Sequence, residues 1–336
     1  MLTRHDVPLA GLTTLRLGGP AGLLVEATTE DELVEAVRAH PTALVLGGGS
    51  NVVLPDAGVP EVVLVRTGGM AHDGTGLWVQ AGEDWDGLVE TSLAHGHCGL
   101  EALSGIPGTV GAAPIQNIGA YGGEVASFVE AVRVLDRRTG VVAELPAQEC
   151  RFSYRHSAFK ADPTRWVVLA VRLDLPTGTA SAPVRYAELA RALEVELGAT
   201  APAAEVRAAV LALRRGKGMV LDAADPDSIS AGSFFTNPVV AAAPDGAPSW
   251  PEADGRVKVS AAWLIEQSGF AKGWGEGRAG LSRKHTLALV NRGDATTADL
   301  LEVARAVRDG VRARFGITLV PEPVVVGAGP DDPLAG

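Results

Sequence analysis

Apolar and polar positions along the chain follow patterns that predict both helices and strands. In the first 66 residues, a capping-box sequence that starts at Thr29 predicts a helix reaching about His40. The apolar runs Ala43–Leu46 and Glu61–Val65 predict two short buried strands. These elements indicate a small α/β unit in the amino-terminal part of the chain.

Strand patterns dominate residues 77–175. The segments Ala131–Asp136 and Val141–Leu145 flank a turn sequence at residues 137–140, and Trp166–Leu175 alternates with a period of two. We therefore expect an antiparallel α+β region here.

Helical periodicity returns after this region. Glycine, proline and aspartate between residues 216 and 226 predict a segment that crosses between domains, and residues 241–254 predict an exposed loop. The remaining predicted elements are helices at Tyr186–Leu197, Ala203–Arg215, Ser260–Gln267 and Ala298–Phe315, a segment at Ala231–Val240, a strand at Thr286–Asn291, and an extended tail at Ile317–Val326.

The apolar tail suggests that the first domain is discontinuous. The tail is too short to fold alone, so we expect it to return to an earlier sheet. The predicted domains are residues 1–67 with 317–336, residues 68–213, and residues 214–316.

Composition and charge narrow the class of protein. The 336 residues are 46% hydrophobic and 21% charged, the proportions of an ordinary globular enzyme. A net charge of −11 argues against a protein that coats nucleic acid, although an anionic small molecule could bind a local cationic pocket. No apolar run is long enough for a membrane span, and Cys98 and Cys150 form no disulfide framework. We expect a cytoplasmic protein without membrane attachment and, as the default, a monomer.

Two glycine-rich segments are candidates for binding phosphate. Gly47–Asn51 follows a predicted strand, and Gly105–Gly111 lies about sixty residues later. Consecutive backbone N–H groups in such segments can converge on a diphosphate, although for any one glycine triplet a tight turn is the favoured interpretation. Neither segment matches the Rossmann or P-loop spacing. We interpret Gly273–Gly277, which follows no predicted strand, as a flexible loop.

Several sequence blocks in order along the chain resemble one enzyme family. They are Thr14–Ala21, Gly47–Asn51, Ala113–Glu124, Tyr154–Lys160, Ala231–Pro238, Ala261–Gln267 and Pro321–Pro323. Together they closely resemble the UDP-N-acetylenolpyruvoylglucosamine reductase family, flavin enzymes of peptidoglycan precursor synthesis. The blocks span essentially the whole chain.

The resemblance implies a fold and a cofactor. The implied fold class is α+β: an FAD-binding fold of the vanillyl-alcohol-oxidase (PCMH) type with two flavin-binding subdomains and a C-terminal α+β substrate domain. The implied FAD is noncovalent, and no histidine lies near Gly47–Asn51, where covalently flavinylated relatives carry one. The implied diphosphate residues are Gly47, Gly48, Gly49, Ser50, Asn51, Ile106, Pro107, Gly108, Thr109, Val110 and Gly111. Those implied beside the isoalloxazine are Asn117, Ile118, Gly119 and Tyr121.

Three further residues match the chemistry that the family implies. Hydride addition to an enolpyruvyl double bond places negative charge beside its carboxylate, which calls for a cation, a hydrogen-bonding acid and a proton source. Arg155, Glu322 and Ser233 match these needs and the family positions. The simpler alternatives are a surface arginine, an edge-strand charge and a turn serine.

The resemblance also suggests residues that contact the substrate, and for some of them it leaves the choice between a functional and a structural role open. Lys217 and Tyr186 are candidates for the UDP portion, at even odds with a helix-end charge and a core contact; Tyr121 and Asn237 are candidates by motif position. Thr236 stands where some members carry lysine. No metal is expected, because the sequence from His95 to Cys98 has no fourth ligand at a standard spacing.

The resulting hypothesis is NADPH-dependent, FAD-mediated reduction of UDP-N-acetylglucosamine-enolpyruvate to UDP-N-acetylmuramate. NADPH and this substrate are expected to alternate in one site, since no separate NADPH motif is present, and no nucleic-acid partner is expected. One alternative is another FAD-dependent oxidoreductase of the same fold that acts on a small alcohol or sugar. The other is a flavin- or nucleotide-binding regulatory module. The choice between NADPH and NADH and any activating monovalent cation stay open.

Overall fold

The computed structural model describes residues 1–72 and 76–329 together with Asp332 and Leu334. Residues 73–75 of the predicted second domain, and residues 330, 331, 333, 335 and 336 of the predicted first domain, lie outside the described residues. The chain divides into two compact units. The first unit comprises Met1–Val7, Ala21–Gly48 and Pro60–Gly216, and the second comprises Pro8–Pro20, Gly49–Val59 and Lys217–Gly336. The three-domain division stays a prediction.

Helices and strands are mixed along the described chain. The helices are α1 (Glu30–Ala39), α2 (Trp85–Ala94), α3 (Ala113–Gln116), α4 (Ala158–Ala161), α5 (Ala187–Leu193), α6 (Ala203–Gly216), α7 (Ala261–Gln267) and α8 (Thr297–Phe315). The strands are β1 (Leu2–Pro8), β2 (Pro20–Ala27), β3 (Leu44–Leu46), β4 (Val52–Val53), β5 (Val59–Val65), β6 (Met70–His72), β7 (Leu77–Gln80), β8 (Gly119–Ala120), β9 (Gly123–Glu124), β10 (Val129–Asp136), β11 (Val142–Pro146), β12 (Trp166–Leu173), β13 (Ser230–Ser233), β14 (Val239–Val240), β15 (Ser249–Pro251), β16 (Val257–Val259), β17 (Ala279–Leu281), β18 (Ala288–Asn291) and β19 (Val324–Val325). The α+β class is confirmed.

The first unit contains two larger sheets. One has the strand order β1-β2-β5-β3, with β3 and β5 parallel, and the other is an antiparallel sheet of order β11-β10-β12-β7-β6. The predicted helix after Thr29 is confirmed as α1, and the Thr29 hydroxyl accepts a hydrogen bond from the Glu32 amide. Its apolar face buries Leu33, Ala36 and Val37. The predicted hairpin around residues 137–140 is confirmed as β10 and β11.

A segment of residues 178–202, which we call the Tyr186 segment, packs on α6 through a small core of its own. Its two ends are joined by backbone hydrogen bonds from Ser181 to Ala201 and from Ala203 to Thr179, each 2.8 Å long. The predicted helix Tyr186–Leu197 is shorter than expected, because Glu194 adopts a left-handed φ of +55° and ends α5. The small core contains Val184, Leu189, Ala190, Ala201, Val206 and Val210.

The second unit is built from small sheets around two helices. The antiparallel sheets have the orders β13-β18-β17 and β14-β16-β15. Helix α8 begins with a complete capping box between Thr296 and Asp299, and it buries an apolar stripe that includes Leu300 and Val307. The prediction of a loop over residues 241–254 was wrong in part, because β15 forms there. Its Trp250 is exposed and it ends at Pro251, so it lacks the apolar alternation that marks a strand in sequence.

The predicted tail pairs with a strand near the glycine-rich segment. Strand β19 runs parallel to β4, with Val324 opposite Val52 and Val325 opposite Val53. Among the residues that the structure describes, no helix has the length and apolarity needed to cross a membrane.

Candidate active site

The first glycine-rich segment begins in the first unit directly after β3. A Cβ added to Gly48 would lie 2.7 Å from Gly108 Cα, and one added to Gly47 would lie 2.6 Å from Thr109 Oγ1. Such contacts are too short for real side chains, so this close approach of the two segments requires glycine. The two phosphate-loop candidates therefore lie backbone to backbone.

The second segment is fixed by hydrogen bonds from both of its ends. The Gly105 amide donates to Asp86 Oδ1 at 2.6 Å, the Trp85 amide donates to the Gly108 carbonyl at 3.1 Å, and the Val110 amide donates to Glu83 at 2.9 Å. Val110 is fully buried and contributes to the core, so only its backbone is placed to meet a ligand. Ile106 also packs against this core. The segment is therefore a loop held by hydrogen bonds to residues 83–86.

Asp86 joins this loop to α6. Arg207 on α6 donates to both Asp86 oxygens, at 2.6 and 3.0 Å. Burial by itself would raise the pKa of Asp86, but the hydrogen bonds from Arg207 and the Gly105 amide, with the charges of Arg207 and Arg214, outweigh it and lower the pKa. Asp86 is therefore ionised at neutral pH and holds both the loop and the helix.

These segments fit a diphosphate. The sequences of Gly47–Asn51 and Ile106–Gly111 contain no acidic side chain, and Ser50 and Thr109 carry hydroxyl groups. Glycine at the points of closest approach leaves backbone N–H groups uncovered by side chains, which is the property that anion-binding loops use. In the second unit, Gly49 continues the loop with a φ of +62°, and its carbonyl accepts from the Thr14 amide at 3.1 Å.

Asn117 lies at the end of α3 and is wholly buried. It adopts a left-handed φ of +43°, and its Nδ2 donates to Glu124 Oε2 and to the Ser153 carbonyl, both at 3.0 Å. Its Oδ1 accepts from the Ala126 amide at 3.1 Å. The side chain is therefore used to join three segments of the chain, and only its backbone is placed to meet a flavin. The flavin contacts of Asn117 and of Ile118 stay a prediction.

Arg155 lies in a tight turn beside this segment. The Ser153 and His156 backbones bond to each other at 3.1 Å, so Tyr154 and Arg155 are the central residues of the turn. Arg155 has a φ of +52°, a strained value for a residue with a side chain. Its Nη2 donates to the Gly119 carbonyl at 2.8 Å, and its Nη1 donates to that of Asn117 at 3.4 Å. Strain of this kind often marks a functional position.

Tyr121 and Tyr186 are brought together in the first unit. Tyr121 is in the two-residue turn between β8 and β9, with a φ of +50°, and its ring meets that of Tyr186 edge to face at 5.5 Å. Tyr186 precedes α5 and is 42% exposed. Two candidates from distant parts of the sequence therefore form one aromatic pair.

Arg214 is a further candidate site residue that was not among those predicted from the sequence. It lies on the buried face of α6 in line with Val206 and Val210, and it is only 8% exposed. Burial lowers the pKa of its guanidinium to about 10, although the nearby acidic groups of Tyr121 and Asp86 oppose this shift. Arg214 stays a cation at neutral pH. A positive charge on the apolar stripe of an amphipathic helix was the available sequence signal.

A β-bulge directly precedes Ser233 in the second unit. Between the Ser230 to Val290 pair and the Ser233 to Ala288 pair, β13 has one residue more than β18, and Gly232 has a φ of +70°. Such a bulge turns the side chains that follow it, and bulges are frequent beside active sites. Phe234 and Phe235 then anchor the chain in the core of the second unit.

Glu322 lies beside the chain that follows Ser233. Its amide donates to the Phe234 carbonyl at 2.8 Å, and its own carbonyl accepts from Asn51 Nδ2 at 3.4 Å. The flanking Pro321 and Pro323 are buried, which makes the backbone here stiff. The structure thus brings Ser233, Glu322 and Asn51 into one region of the second unit.

Three further positions of the second unit were singled out from the sequence. Asn237 Oδ1 accepts from the Ala261 amide at 2.9 Å at the start of α7. The amide and hydroxyl of Thr236 both donate to the Val320 carbonyl, at 3.0 and 3.4 Å. Lys217 follows the end of α6 and is half-buried. Their contacts with a substrate stay predictions.

The structure also describes two segments that were predicted to be loops without a ligand, Gly273–Gly277 and His95–Cys98. Arg292 donates to the carbonyls of Gly273 and Trp274 at 2.8 and 3.1 Å, and also to that of Gly275. This segment is therefore held by a side chain, and Gly280 leaves room for the guanidinium, because a Cβ at Gly280 would overlap Arg292. His95 ends α2, as expected for a loop after a helix.

The three catalytic candidates do not all fall in one unit. Arg155 belongs to the first unit, whereas Ser233 and Glu322 belong to the second. Their arrangement around one flavin stays a prediction.

Comparison with known proteins gives consistent results along the whole chain. Residues 21–145 match the model of an FAD binding domain, and residues 225–326 match the C-terminal domain of UDP-N-acetylenolpyruvoylglucosamine reductase. The chain is 53% identical over 344 residues to the reductase of this name from Streptomyces avermitilis, covering 96% of this chain and 94% of the relative. It is 55% identical over 343 residues to that of Salinispora arenicola, covering 95% and 94%.

A solved structure agrees with these relatives. The crystal structure of UDP-N-acetylenolpyruvylglucosamine reductase (MurB) from Thermus caldophilus matches 96% of this chain and 99% of its own, with a TM-score of 0.68 and 31% identity. The expected FAD-binding domain and C-terminal reductase domain are therefore confirmed. The chain belongs to the UDP-N-acetylenolpyruvoylglucosamine reductase family.

Proposed function

We propose that the protein uses NADPH to reduce UDP-N-acetylglucosamine-enolpyruvate to UDP-N-acetylmuramate, the reaction of a UDP-N-acetylmuramate dehydrogenase. The names of the relatives support the reductase, and the FAD binding domain supports a flavin. NADPH as the donor, a monomeric state and a cytoplasmic location are part of the proposal and rest on the sequence interpretation.

Noncovalent FAD would be held by the paired glycine segments. When bound, FAD would take a hydride equivalent from NADPH and deliver it to the substrate double bond. In total, NADPH supplies two electrons and one proton, a second proton comes from an acid in the site, and NADP⁺ leaves. The carbon–carbon double bond becomes a single bond with two new C–H bonds.

Arg155 would hold the substrate carboxylate. A guanidinium presents two parallel N–H groups to a carboxylate, and it stabilises the negative charge that develops beside that group. Its hydrogen bonds to the Asn117 and Gly119 carbonyls limit its orientations. Arg214 adds a second, buried positive charge near Tyr121, which favours an anionic substrate.

Ser233 would donate the second proton to the carbon beside the carboxylate. A free serine is a weak acid, so the developing carbanion and the polar surroundings must assist it, and the hydroxyl recovers its proton from solvent. Glu322 would supply a hydrogen-bonding acid group next to this position. Lys217, Asn237, Tyr121 and Tyr186 would bind the UDP and sugar portions.

The observation that carries this proposal is the closeness of Glu322 to the chain that directly follows Ser233. The bulge in β13 directly precedes Ser233, and the Glu322 amide donates to the carbonyl of Phe234, the residue that follows β13. A regulatory module that only binds nucleotide has no need for a serine and a glutamate in this arrangement. A related oxidase of small alcohols leaves both residues unexplained.

The test is NADPH oxidation by the FAD-loaded protein, followed at 340 nm with and without UDP-N-acetylglucosamine-enolpyruvate. We expect rapid oxidation only when the enolpyruvyl nucleotide is present, with one UDP-N-acetylmuramate formed for each NADPH consumed. Flavin that is reduced by NADPH but is not reoxidised by this nucleotide would contradict the substrate assignment while leaving the flavin assignment intact.

A further inference from the structure

Lys160 lies close to Arg155 but has no role in the proposed chemistry. It is in the short helix α4, and its Nζ donates to the Arg155 carbonyl at 3.2 Å and to Gln116 Oε1 at 3.1 Å. Gln116 is the last residue of α3 and is buried. One ammonium group therefore joins the turn that carries Arg155 to the end of α3.

The bonds of Lys160 and of Arg155 close a ring. The carbonyl of Arg155 is held through Lys160 to Gln116, while its guanidinium donates to Asn117 and Gly119. The carbonyl and the guanidinium of Arg155 are thus both held to residues 116–119. A ring of this kind fixes the direction of the side chain better than either set of bonds alone.

The backbone of Arg155 needs such support. Its φ of +52° is unfavourable for any residue with a Cβ, so the turn tends to relax towards a negative φ if nothing holds its carbonyl. A cationic donor bonds a carbonyl more strongly than a neutral one. Relaxation would rotate the peptide and redirect the guanidinium.

The helix α4 is independently anchored. The Ser157 hydroxyl donates to the Ile115 carbonyl at 2.8 Å and accepts from the Lys160 amide at 3.2 Å, and Phe159 is buried in the core. The helix therefore does not depend on the Lys160 ammonium for its place. This separation allows the role of the ammonium to be tested apart from the stability of α4.

We propose that Lys160 is a positioning residue that holds Arg155 in the orientation that binds the substrate carboxylate. This inference rests on the proposed function. Lys160 acts through the Arg155 backbone and does not itself meet the substrate. Its loss should weaken ligands that carry the carboxylate and should spare ligands that lack it.

The experiment compares two nucleotides on the FAD-loaded protein. UDP-N-acetylmuramate carries the carboxylate, and UDP-N-acetylglucosamine lacks the whole lactyl group; dissociation constants come from calorimetry. In Lys160→Met we expect the affinity for UDP-N-acetylmuramate to fall about tenfold, with UDP-N-acetylglucosamine affinity unchanged. Stopped-flow should show flavin reduction by NADPH at the wild-type rate and about tenfold slower reoxidation by the enolpyruvyl nucleotide. Lys160→Arg, which keeps a cationic donor, should recover part of the loss.

Ser157→Ala is the matched control, because it loosens α4 without removing the ammonium. It should lower the thermal midpoint and leave the ratio of the two affinities unchanged. An equal loss for both nucleotides in Lys160→Met, or the same change of ratio in Ser157→Ala, would overturn the inference. If Lys160→Met does not fold, Gln116→Met removes the other acceptor of the same ammonium, and an unchanged ratio there would overturn the inference as well.

Failure of the proposed function gives a different result. The wild-type protein would then bind both nucleotides equally, or its reduced flavin would not be reoxidised by the enolpyruvyl nucleotide. The result for the wild-type protein therefore distinguishes a failure of the proposed function from a failure of the proposed role of Lys160.

Discussion

The catalytic candidates of the two units are held in different ways. Arg155 in the first unit is placed by side-chain hydrogen bonds that involve Asn117 and Lys160, on backbone with positive φ. Ser233 and Glu322 in the second unit are placed by backbone hydrogen bonds between neighbouring strands and the tail. The first arrangement depends on particular side chains, whereas the second depends mainly on the path of the backbone.

Because of this difference, we expect a substitution of a catalytic candidate in the second unit to change catalysis without changing stability. In the first unit, a substitution should change both. A substitution of Ser233 removes no strand hydrogen bond. A substitution of Asn117 removes bonds that hold the Arg155 turn. The following predictions test this contrast, from the largest expected effect to the smallest.

Ser233→Ala should give the largest change, and it should affect catalysis alone. Loss of the proton donor should slow flavin reoxidation by the enolpyruvyl nucleotide by about 10³-fold, or about 4 kcal/mol in the activation free energy. The free energy of unfolding should change by no more than about 0.5 kcal/mol. Single-turnover stopped-flow and urea unfolding measure the two quantities. FAD content and flavin reduction by NADPH are the controls, and a parallel loss of stability would break the comparison.

Asn117→Ala should lower the free energy of unfolding by about 3 kcal/mol, because a wholly buried side chain loses three hydrogen bonds and leaves their partners unsatisfied. Asn237→Ala is the matched control in the second unit, since it loses one hydrogen bond to a helix start and should cost about 1 kcal/mol. Urea unfolding of the two FAD-loaded variants at pH 7 measures both. Equal losses would show that the two units do not differ in this respect.

Asp86→Asn should cost about 2 kcal/mol at pH 7, because the Arg207 guanidinium and the Gly105 amide lose a charged acceptor. The pKa of Asp86 is lowered in the folded protein, so its ionised form stabilises the fold above the unfolded pKa of about 4. That contribution is lost as the pH falls through the lower folded value. The difference from wild type should therefore be constant above about pH 5 and narrow below pH 4. A difference that does not change with pH would contradict this assignment.

Thr14→Val should have the smallest effect, about 1 kcal/mol. The Thr14 hydroxyl donates to the Ser230 carbonyl at 2.7 Å, at the start of β13, and this is a side-chain support for the Ser233 strand. Since the ladder to β18 is kept, the rate of flavin reoxidation should stay within about twofold of wild type. A larger kinetic loss would show that side chains also place Ser233.

Much of the fold could be predicted from local signals. Thr29 and Thr296 begin helices through their capping hydroxyls, and periodicity located α6 and the strands β10 to β12. Strand β15 was missed because its side chains are all exposed and do not alternate between apolar and polar residues. Helix α5 ended early because Glu194 accepts a left-handed conformation that its residue type does not signal.

The site was harder to predict than the fold. Backbone chemistry pointed to Gly47 and Gly48, and the structure explains them by their closeness to Thr109 and Gly108. Arg155 and Glu322 came from the family resemblance, because no local pattern distinguishes them from surface charges. Their supports depend on contacts between distant segments, which periodicity does not contain.

The hydrogen bonds between the tail and the chain that follows Ser233 also have a consequence for biosynthesis. After β13, Phe234 and Thr236 bond to the tail at Glu322 and Val320, which leave the ribosome after β13 and β18 have been made. The close approach of Gly47 and Gly48 to Gly108 and Thr109 can therefore form during translation, whereas Asn51 and the chain after Ser233 lack their hydrogen bonds to the tail until it arrives. A chain that terminates before residue 320 would lack these hydrogen bonds. Proteases should therefore cleave it faster than the complete protein.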